Sequence, residues 1–311
     1  MPDSHSRTAT GDTTGRARLP RWLKRNVPQG NAGHGTSQLL GELNLRTVCD
    51  HARCPNRMEC YTQRTATFMI LGDVCTRGCR FCSVGKGRPR AVDPDEPRRI
   101  AEAVRRLGLR HVVVTCVTRD DLPDGGAEHF CQTIDAVRRA TGATIEVLPS
   151  DLAGNRAALD RLIAAAPEVY NHNTETVPRL YSQIRTAKAD YRWTLETFRQ
   201  VRRRRPAIRL KTGLMLGLGE TTEELLDTLA DLLEAGCRLL TLGQYLRPSP
   251  RQMPVVRYLP PDEFDQLGRL ARRMGFESVA AGPFVRSSYH AREMVQQRSA
   301  TGGGSAAITP G

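Results

Sequence analysis

Apolar positions through the middle of the chain recur in two alternating periods. Six short runs rich in β-branched and large aliphatic residues have the length and composition of buried strands: FMILGDV (68–74), HVVVTCV (111–117), TIEVLPS (144–150), VYNHNTE (169–175), IRLKTGLMLGL (208–218) and LLTLGQYL (239–246). Between and after them the apolar residues return at helical spacing, predicting helices over 93–108, 127–140, 154–166, 178–184, 191–204, 221–235 and 261–274. Strands separated by helices predict a parallel sheet with crossover connections, hence an α/β fold. Eight such units would close a barrel, whereas six predict an open, TIM-like partial (β/α)6 barrel with N- and C-terminal extensions and a mouth wide enough for a bulky or protein-borne substrate. Candidate site residues gather in or just after the β runs, at Asp73, Thr115, Pro149, Asn171, Asn173, Glu175, Lys211 and Gln244. Barrels build their sites at the C-terminal ends of their strands.

The two ends of the chain lack such periods. Residues 1–40 are rich in Ser, Thr, Gly, Arg and Pro and are predicted to be mostly disordered, with a local apolar anchor at Trp22 and Leu23, while 301–311 read as a flexible tail. No uncharged apolar run reaches bilayer length, and the N-terminus has no secretory-type apolar stretch. Asp3, Asp12 and the lack of an amphipathic helix argue against organelle targeting, so a cytoplasmic protein with no membrane partner is expected. The net charge of +13 invites a nucleic-acid reading, but 42 of the 46 basic residues are arginines scattered over the whole length. That is a bias of composition rather than a patch, and no nucleic-acid partner is expected. The densest run, Arg202 to Arg205, closes a predicted helix, where cations complement the dipole; an acidic protein partner is the alternative for it.

Chemistry enters with the cysteines. Six of the nine fall in two sets of different spacing: Cys49, Cys54 and Cys60 form C-x4-C-x5-C, and Cys75, Cys79 and Cys82 form C-x3-C-x2-C within CTRGCRFC. In a reducing compartment such clusters are metal ligands rather than disulfides, and two spacings point to two metal clusters with different tasks. Cys116, Cys131 and Cys237 stand singly and read as buried small residues. A four-iron cluster takes one ligand per iron, so three cysteines leave one iron open to a small chelating molecule. Structural zinc, the competing reading, would make the chain a basic nucleic-acid module without catalysis, but it wants four ligands, usually in C-x2-C pairs. With Phe81 before its last cysteine, the second set resembles the radical S-adenosylmethionine superfamily. The resemblance implies that S-adenosylmethionine binds the open iron and is cleaved reductively to a 5′-deoxyadenosyl radical.

Residues 47–89, from TVCDHARC through CTRGCRFC to GKGRP, are similar along their length to the lipoyl synthase family. The similarity continues in TRDDLPDGGAEHF (118–130), YNHNTETVPRLY (170–181), KTGLMLGLGET (211–221), GQYLRPSP (243–250) and AGPFVRSSYHA (281–291). It implies an auxiliary 4Fe-4S segment at 41–67, a radical SAM barrel at 68–280, and a C-terminal segment at 281–311 carrying the RSSY motif. It further implies that Ser288 joins Cys49, Cys54 and Cys60 as a fourth ligand, a harder oxygen donor that leaves the cluster open to attack. On the same resemblance, sulfur from that cluster enters at C6 and C8 of a protein-bound octanoyl group. The partners are then octanoylated lipoyl domains of 2-oxoacid dehydrogenase E2 subunits or the glycine-cleavage H protein, and an electron donor such as flavodoxin or ferredoxin. A radical enzyme that uses the first set for electron transfer, or acts on another substrate, is the alternative.

Weaker candidates surround these motifs. Gly125 and Gly126 allow backbone amides to approach S-adenosylmethionine, or simply turn into a helix. Asn171, Asn173 and Glu175 alternate along one β run and so present three polar side chains to one side for ribose or the methionine end. Lys211 and Glu220 flank a glycine-rich stretch as an ion pair or substrate contacts, and Arg286 stands beside the serine pair. His172 and the other histidines have no ligand-type spacing and read as structural or surface residues.

Overall fold

Wherever the sequence switches from β-branched runs to amphipathic segments, the chain switches from strand to helix. A computed structural model describes residues 19–24 and 33–296. Among the described residues nine strands are formed: β1 (Thr67–Ile70), β2 (Val74–Cys75), β3 (Gly85–Lys86), β4 (His111–Cys116), β5 (Thr144–Leu148), β6 (Val169–Asn171), β7 (Arg209–Leu216), β8 (Leu239–Gln244) and β9 (Ser278–Gly282). Seven of them make one sheet in the order β1-β4-β5-β6-β7-β8-β9, with every neighbouring pair parallel. Its edges are β1 and β9, which do not pair, so the barrel is open. Helices fill each of the six connections, including Glu96–Leu107, Ala127–Ala140, Arg156–Ala164, Tyr191–Arg204, Thr222–Glu234 and Pro261–Met274.

The expected α/β partial barrel is therefore present, as six β-to-α units followed by a seventh strand. That strand, SVAAG, is built of small residues and carries little β-propensity of its own; its pairing with β8 makes it a strand. The first β run is shorter than its pattern suggests, because Leu71 (φ 68°) and Gly72 (φ 92°) turn the chain out of the sheet before Val74 starts a separate two-stranded ribbon with β3. The core lies between sheet and helices. Phe68, Ile70, Val112, Val114, Val147, Leu240 and Leu242 pack there with Ile100, Val104, Phe130, Ile134, Leu229 and Phe264, all within about 1% of full burial.

Order begins earlier than the composition of residues 1–40 predicts. A helix over His34–Glu42 buries Thr36, Leu39 and Leu40, and Leu23 is buried while Trp22 remains 40% exposed. The expectations for 1–18, 25–32 and the 301–311 tail lie outside the described residues. Among the described residues no helix is long and apolar enough to cross a membrane.

Both extensions are drawn onto the barrel. Residues 46 and 47 lie along β1, with the Met69 amide donating to the Arg46 carbonyl at 2.9 Å and an antiparallel bridge between Thr47 and Phe68. After β9 the chain turns inward past Gly243 and Gly213; a Cβ on Gly243 would strike the Val285 carbonyl, and one on Gly213 would lie 3.4 Å from Ser287 Cβ. It crosses to β1 and enters a helix, Ala291–Gln296, the last described element, whose Met294 packs on Val169 and Leu239, the first residues of β6 and β8.

Candidate active site

The strand ends, the two cysteine segments and the returning C-terminal segment enclose one cavity of about 770 Å³. All six clustered cysteines line it, together with Phe81, Asn173, Glu175, Arg286 and Ser288. Residues 49 and 288, far apart in sequence, meet here because β1 is an edge strand with space on its free side for both extensions.

The first set sits on two short helices, Val48–His51 carrying Cys49 and Arg57–Thr62 carrying Cys60, with Cys54 in the turn between. Thr47 opens the first helix by accepting the Asp50 amide, and Asp50 holds the helices together by accepting from Tyr61 Oη at 2.6 Å and Arg57 Nη1 at 2.7 Å. Burial alone would raise the Asp50 carboxyl, but the hydrogen bonds from Tyr61, Arg57 and Thr47 outweigh it and hold it below its ordinary value. The C-terminal segment completes this end: Asn56 Nδ2 donates to the Phe284 carbonyl at 2.7 Å, Tyr289 Oη to Glu59 at 2.7 Å, and Thr67 Oγ1 to Ser288 Oγ at 2.8 Å.

The second set runs from Cys75 at the end of β2 through Cys79 and Cys82 in the loop before β3, and Arg77 anchors that loop. Its guanidinium reaches Asp120 Oδ1 at 2.7 Å and Asp151 Oδ1 at 2.8 Å, beyond the ends of β4 and β5. Backbone amides already point at sulfur: Arg77 N lies 3.3 Å from Cys75 Sγ and Val84 N 3.4 Å from Cys82 Sγ. Such donors stabilise thiolates on a cluster. Ser83 Oγ donates to the His51 carbonyl, tying the second loop to the first, and Gln252 Nε2 donates to the Cys82 carbonyl at 3.0 Å from the loop after β8.

Burial pushes the Cys49 and Cys82 thiols up to about 11 and also raises Cys79. Without metal these sulfurs hold their protons at neutral pH, and binding must displace them. Among the described residues no three His, Cys, Asp or Glu side chains converge as ligands of a single ion do; a four-iron cluster takes its thiolates on separate irons. Next to the second set, Asn173 Oδ1 and Arg185 Nε are buried without a hydrogen-bond partner among the described residues. Arg185 Nη1 is held by Tyr181 Oη at 2.9 Å, and Glu175 carries a left-handed backbone (φ 71°) at the cavity wall. Burial raises the Glu175 carboxyl above its ordinary value, with Arg185 opposing. A thiol triad beside an unsatisfied amide oxygen, a half-buried cation and a carboxyl fits a cluster carrying a zwitterionic, polar ligand.

Several sequence candidates lie elsewhere. Lys211 is not at a strand end but early in β7, fully buried, with Nζ 2.9 Å and 3.1 Å from the Glu146 oxygens. Asn171 donates to the same carboxylate at 2.8 Å and does not line the cavity, because β6 ends at Asn171 and the predicted alternation stops there. Glu220 accepts the Leu218 amide at 2.9 Å and makes no pair with Lys211. Gly125 (φ 61°) and Gly126 (φ 93°) form the turn that opens the Ala127–Ala140 helix, packed under Leu152 and Leu71 and away from the cavity. Of the single cysteines, Cys237 is buried, whereas Cys116 and Cys131 are half-buried and Cys116 lines the cavity.

Three cavity or support residues were given no part in the site from sequence, His172 having been read as structural or surface. His172 is buried in the cavity wall and pushed down to about 4 by burial and by the nearby Arg185 cation. Arg77 and Arg185 are two among 42 arginines. Only the position of Arg77 inside the cysteine motif set it apart; for Arg185 no sequence signal existed.

Comparison with known proteins agrees with this geometry. Residues 69–232 match the model of the radical SAM superfamily, and residues 3–54 match the N-terminal domain of lipoyl synthase of that family. Solved structures with the same fold include Streptococcus suis SuiB (TM-score 0.54, 10% identity, covering 83% of this chain and 56% of that one). HydG, a maturase of the [FeFe]-hydrogenase, is also similar (TM-score 0.52, 16% identity, covering 78% of this chain and 62% of that one). The fold and the cysteine-lined cavity are thus those of a radical SAM enzyme, a class that implies an iron–sulfur cluster and S-adenosylmethionine.

Curated relatives narrow the assignment. Lipoyl synthase of Rhodopirellula baltica is 60% identical over 92% of this chain and 90% of its own length. Lipoyl synthase of Caldanaerobacter subterraneus subsp. tengcongensis is 51% identical over 88% and 96%, and that of Thermus thermophilus 50% over 88% and 85%. The chain belongs to the lipoyl synthase family.

Proposed function

We propose that the chain inserts two sulfur atoms, at C6 and C8, into an octanoyl group carried on a lysine of a lipoyl domain or the glycine-cleavage H protein. When bound, a four-iron cluster on Cys75, Cys79 and Cys82 supplies reductive cleavage of S-adenosylmethionine, and a second on Cys49, Cys54, Cys60 and Ser288 supplies the sulfur. The observation that supports this reading most is that both cysteine sets and Ser288 line one cavity, so that a single substrate chain can reach both.

In this reading Arg185 and Asn173 satisfy the carboxylate and amino groups of S-adenosylmethionine with the polar atoms that are otherwise unpaired. Phe81 backs the second set from a small apolar cluster with Val177, Leu180, Ile184 and Tyr245, which keeps water from the face where a carbon radical would form. His172, neutral at pH 7, adds buried surface without adding charge. Exposed Arg53, Arg80, Arg247 and Arg251 line the mouth and favour a carrier domain of acidic surface. An electron donor such as flavodoxin or ferredoxin completes the partners.

The test is mass spectrometry of an octanoylated lipoyl-domain peptide after anaerobic incubation with reconstituted protein, S-adenosylmethionine and reductant. A gain of two sulfurs with loss of two hydrogens is expected. Release of 5′-deoxyadenosine with no sulfur gained would move the enzyme to another substrate.

A further inference from the structure

We propose that Thr67 is a positioning residue for Ser288, fixing the oxygen that serves as fourth ligand of the first cysteine set; this rests on the reading of Ser288 as a ligand. Thr67 is the first residue of β1, 6% exposed and locked in register with Val113 of β4. Its hydroxyl donates to Ser288 Oγ at 2.8 Å, and its neighbour Phe68 bridges to Thr47, two residues before Cys49. One end of a rigid strand thereby meets both extensions, which approach it from opposite ends of the chain.

The surroundings of Ser288 make that contact decisive. Ser288 borders the main cavity on one side and a second cavity of about 580 Å³ on the other, and Cys60, Thr65, Ala66, Thr67 and Tyr289 are also shared between the two. With open space on two faces, little packing restrains the side chain, and the Thr67 hydrogen bond sets its direction. The polarity of that bond suits a ligand. Thr67 is the donor, so the proton of Ser288 is not needed in it; when the serine binds iron through oxygen, that proton leaves and the Thr67 hydroxyl still donates to the same atom. Residues that orient a metal ligand from behind typically change metal affinity 10- to 100-fold.

The test uses the full chain with Cys75→Ala, Cys79→Ala and Cys82→Ala, reconstituted anaerobically so that iron content and spectra report the first set alone. Thr67→Val keeps the shape and removes the donor, Thr67→Ser restores it, and Ser288→Ala removes the oxygen. Thr67→Val is expected to release iron to a chelator at least about tenfold faster and to shift the electron paramagnetic resonance signal of the reduced cluster toward that of Ser288→Ala. Thr67→Ser is expected to match the parent in both. If valine disturbs folding by circular dichroism, Thr67→Ala provides the same comparison without added bulk. Parent-like iron release and spectrum in Thr67→Val, with Ser288→Ala clearly altered, would overturn the role of Thr67. A Ser288→Ala protein indistinguishable from the parent would instead remove Ser288 as a ligand, and the inference with it.

Discussion

The cysteines of the two sets have matching element chemistry but not matching surroundings. Cys49 and Cys82 are desolvated enough to lie near 11, while the Val84 amide already points at the Cys82 sulfur to stabilise its thiolate. Cluster assembly has to remove those protons, so the rate of reconstitution from iron and sulfide should rise steeply between about pH 7 and 9, up to about tenfold per unit for each proton lost before the slow step. The growth of visible charge-transfer absorbance measures it; a flat profile would mean that the thiols are already ionised when iron arrives. At this scale the sequence was legible where identity alone carries chemistry, as with cysteine. It was illegible for Arg185 and His172, whose importance comes from what is buried around them.

At the scale of elements, the loop between β2 and β3 depends on Arg77. Its side chain is 6% exposed, and those of Asp120 and Asp151 are 12% and 7% exposed, so removing the guanidinium strands the buried Asp151 and leaves Asp120 only the exposed Lys188. Arg77→Met should therefore lose the cluster of the second set, lowering iron from about eight to about four per chain, while far-UV circular dichroism stays close to wild type. Arg77→Lys should fall between, because an ammonium cannot make the same forked contacts. Full iron in Arg77→Met would show that the loop holds its shape without the clamp. Helix positions were readable from apolar spacing to within a few residues. Strand ends were not, since β1 stops where Leu71 and Gly72 take positive φ, and β6 stops where Asn171 turns to Glu146.

Across the whole molecule, the barrel interior is organised by a buried charge cluster rather than by apolar side chains alone. Glu146 accepts from Lys211 and Asn171 and lies 3.3 Å from His111 Nε2, with every member nearly or fully buried. Burial would raise the Glu146 carboxyl, yet Lys211 and His111 outweigh it and bring it from 4.5 to about 2. Lys211→Met removes the lysine cation and leaves that buried carboxylate only Asn171 and His111, and should cost about 3–5 kcal/mol in denaturant unfolding of the apo protein. Because the folded value is depressed, the contribution is complete above about 4.5 and is lost as pH falls toward about 2. Glu146→Gln, weaker at neutral pH, should show a shallower loss of stability through that acid window; an identical slope would assign the acid sensitivity to other carboxyls.

The sequence by itself determined the alternation of strand and helix and the two cysteine sets, because periodicity and thiol spacing are local and survive without coordinates. It also placed RSSY as a candidate, but only through resemblance. Tertiary structure alone decided that Ser288 meets Thr67 across 221 positions, that SVAAG becomes an edge strand, and that Lys211 faces Glu146 instead of a ligand. Each of these depends on sheet order and register, which bring distant residues to one point; no local pattern encodes which strands will be neighbours.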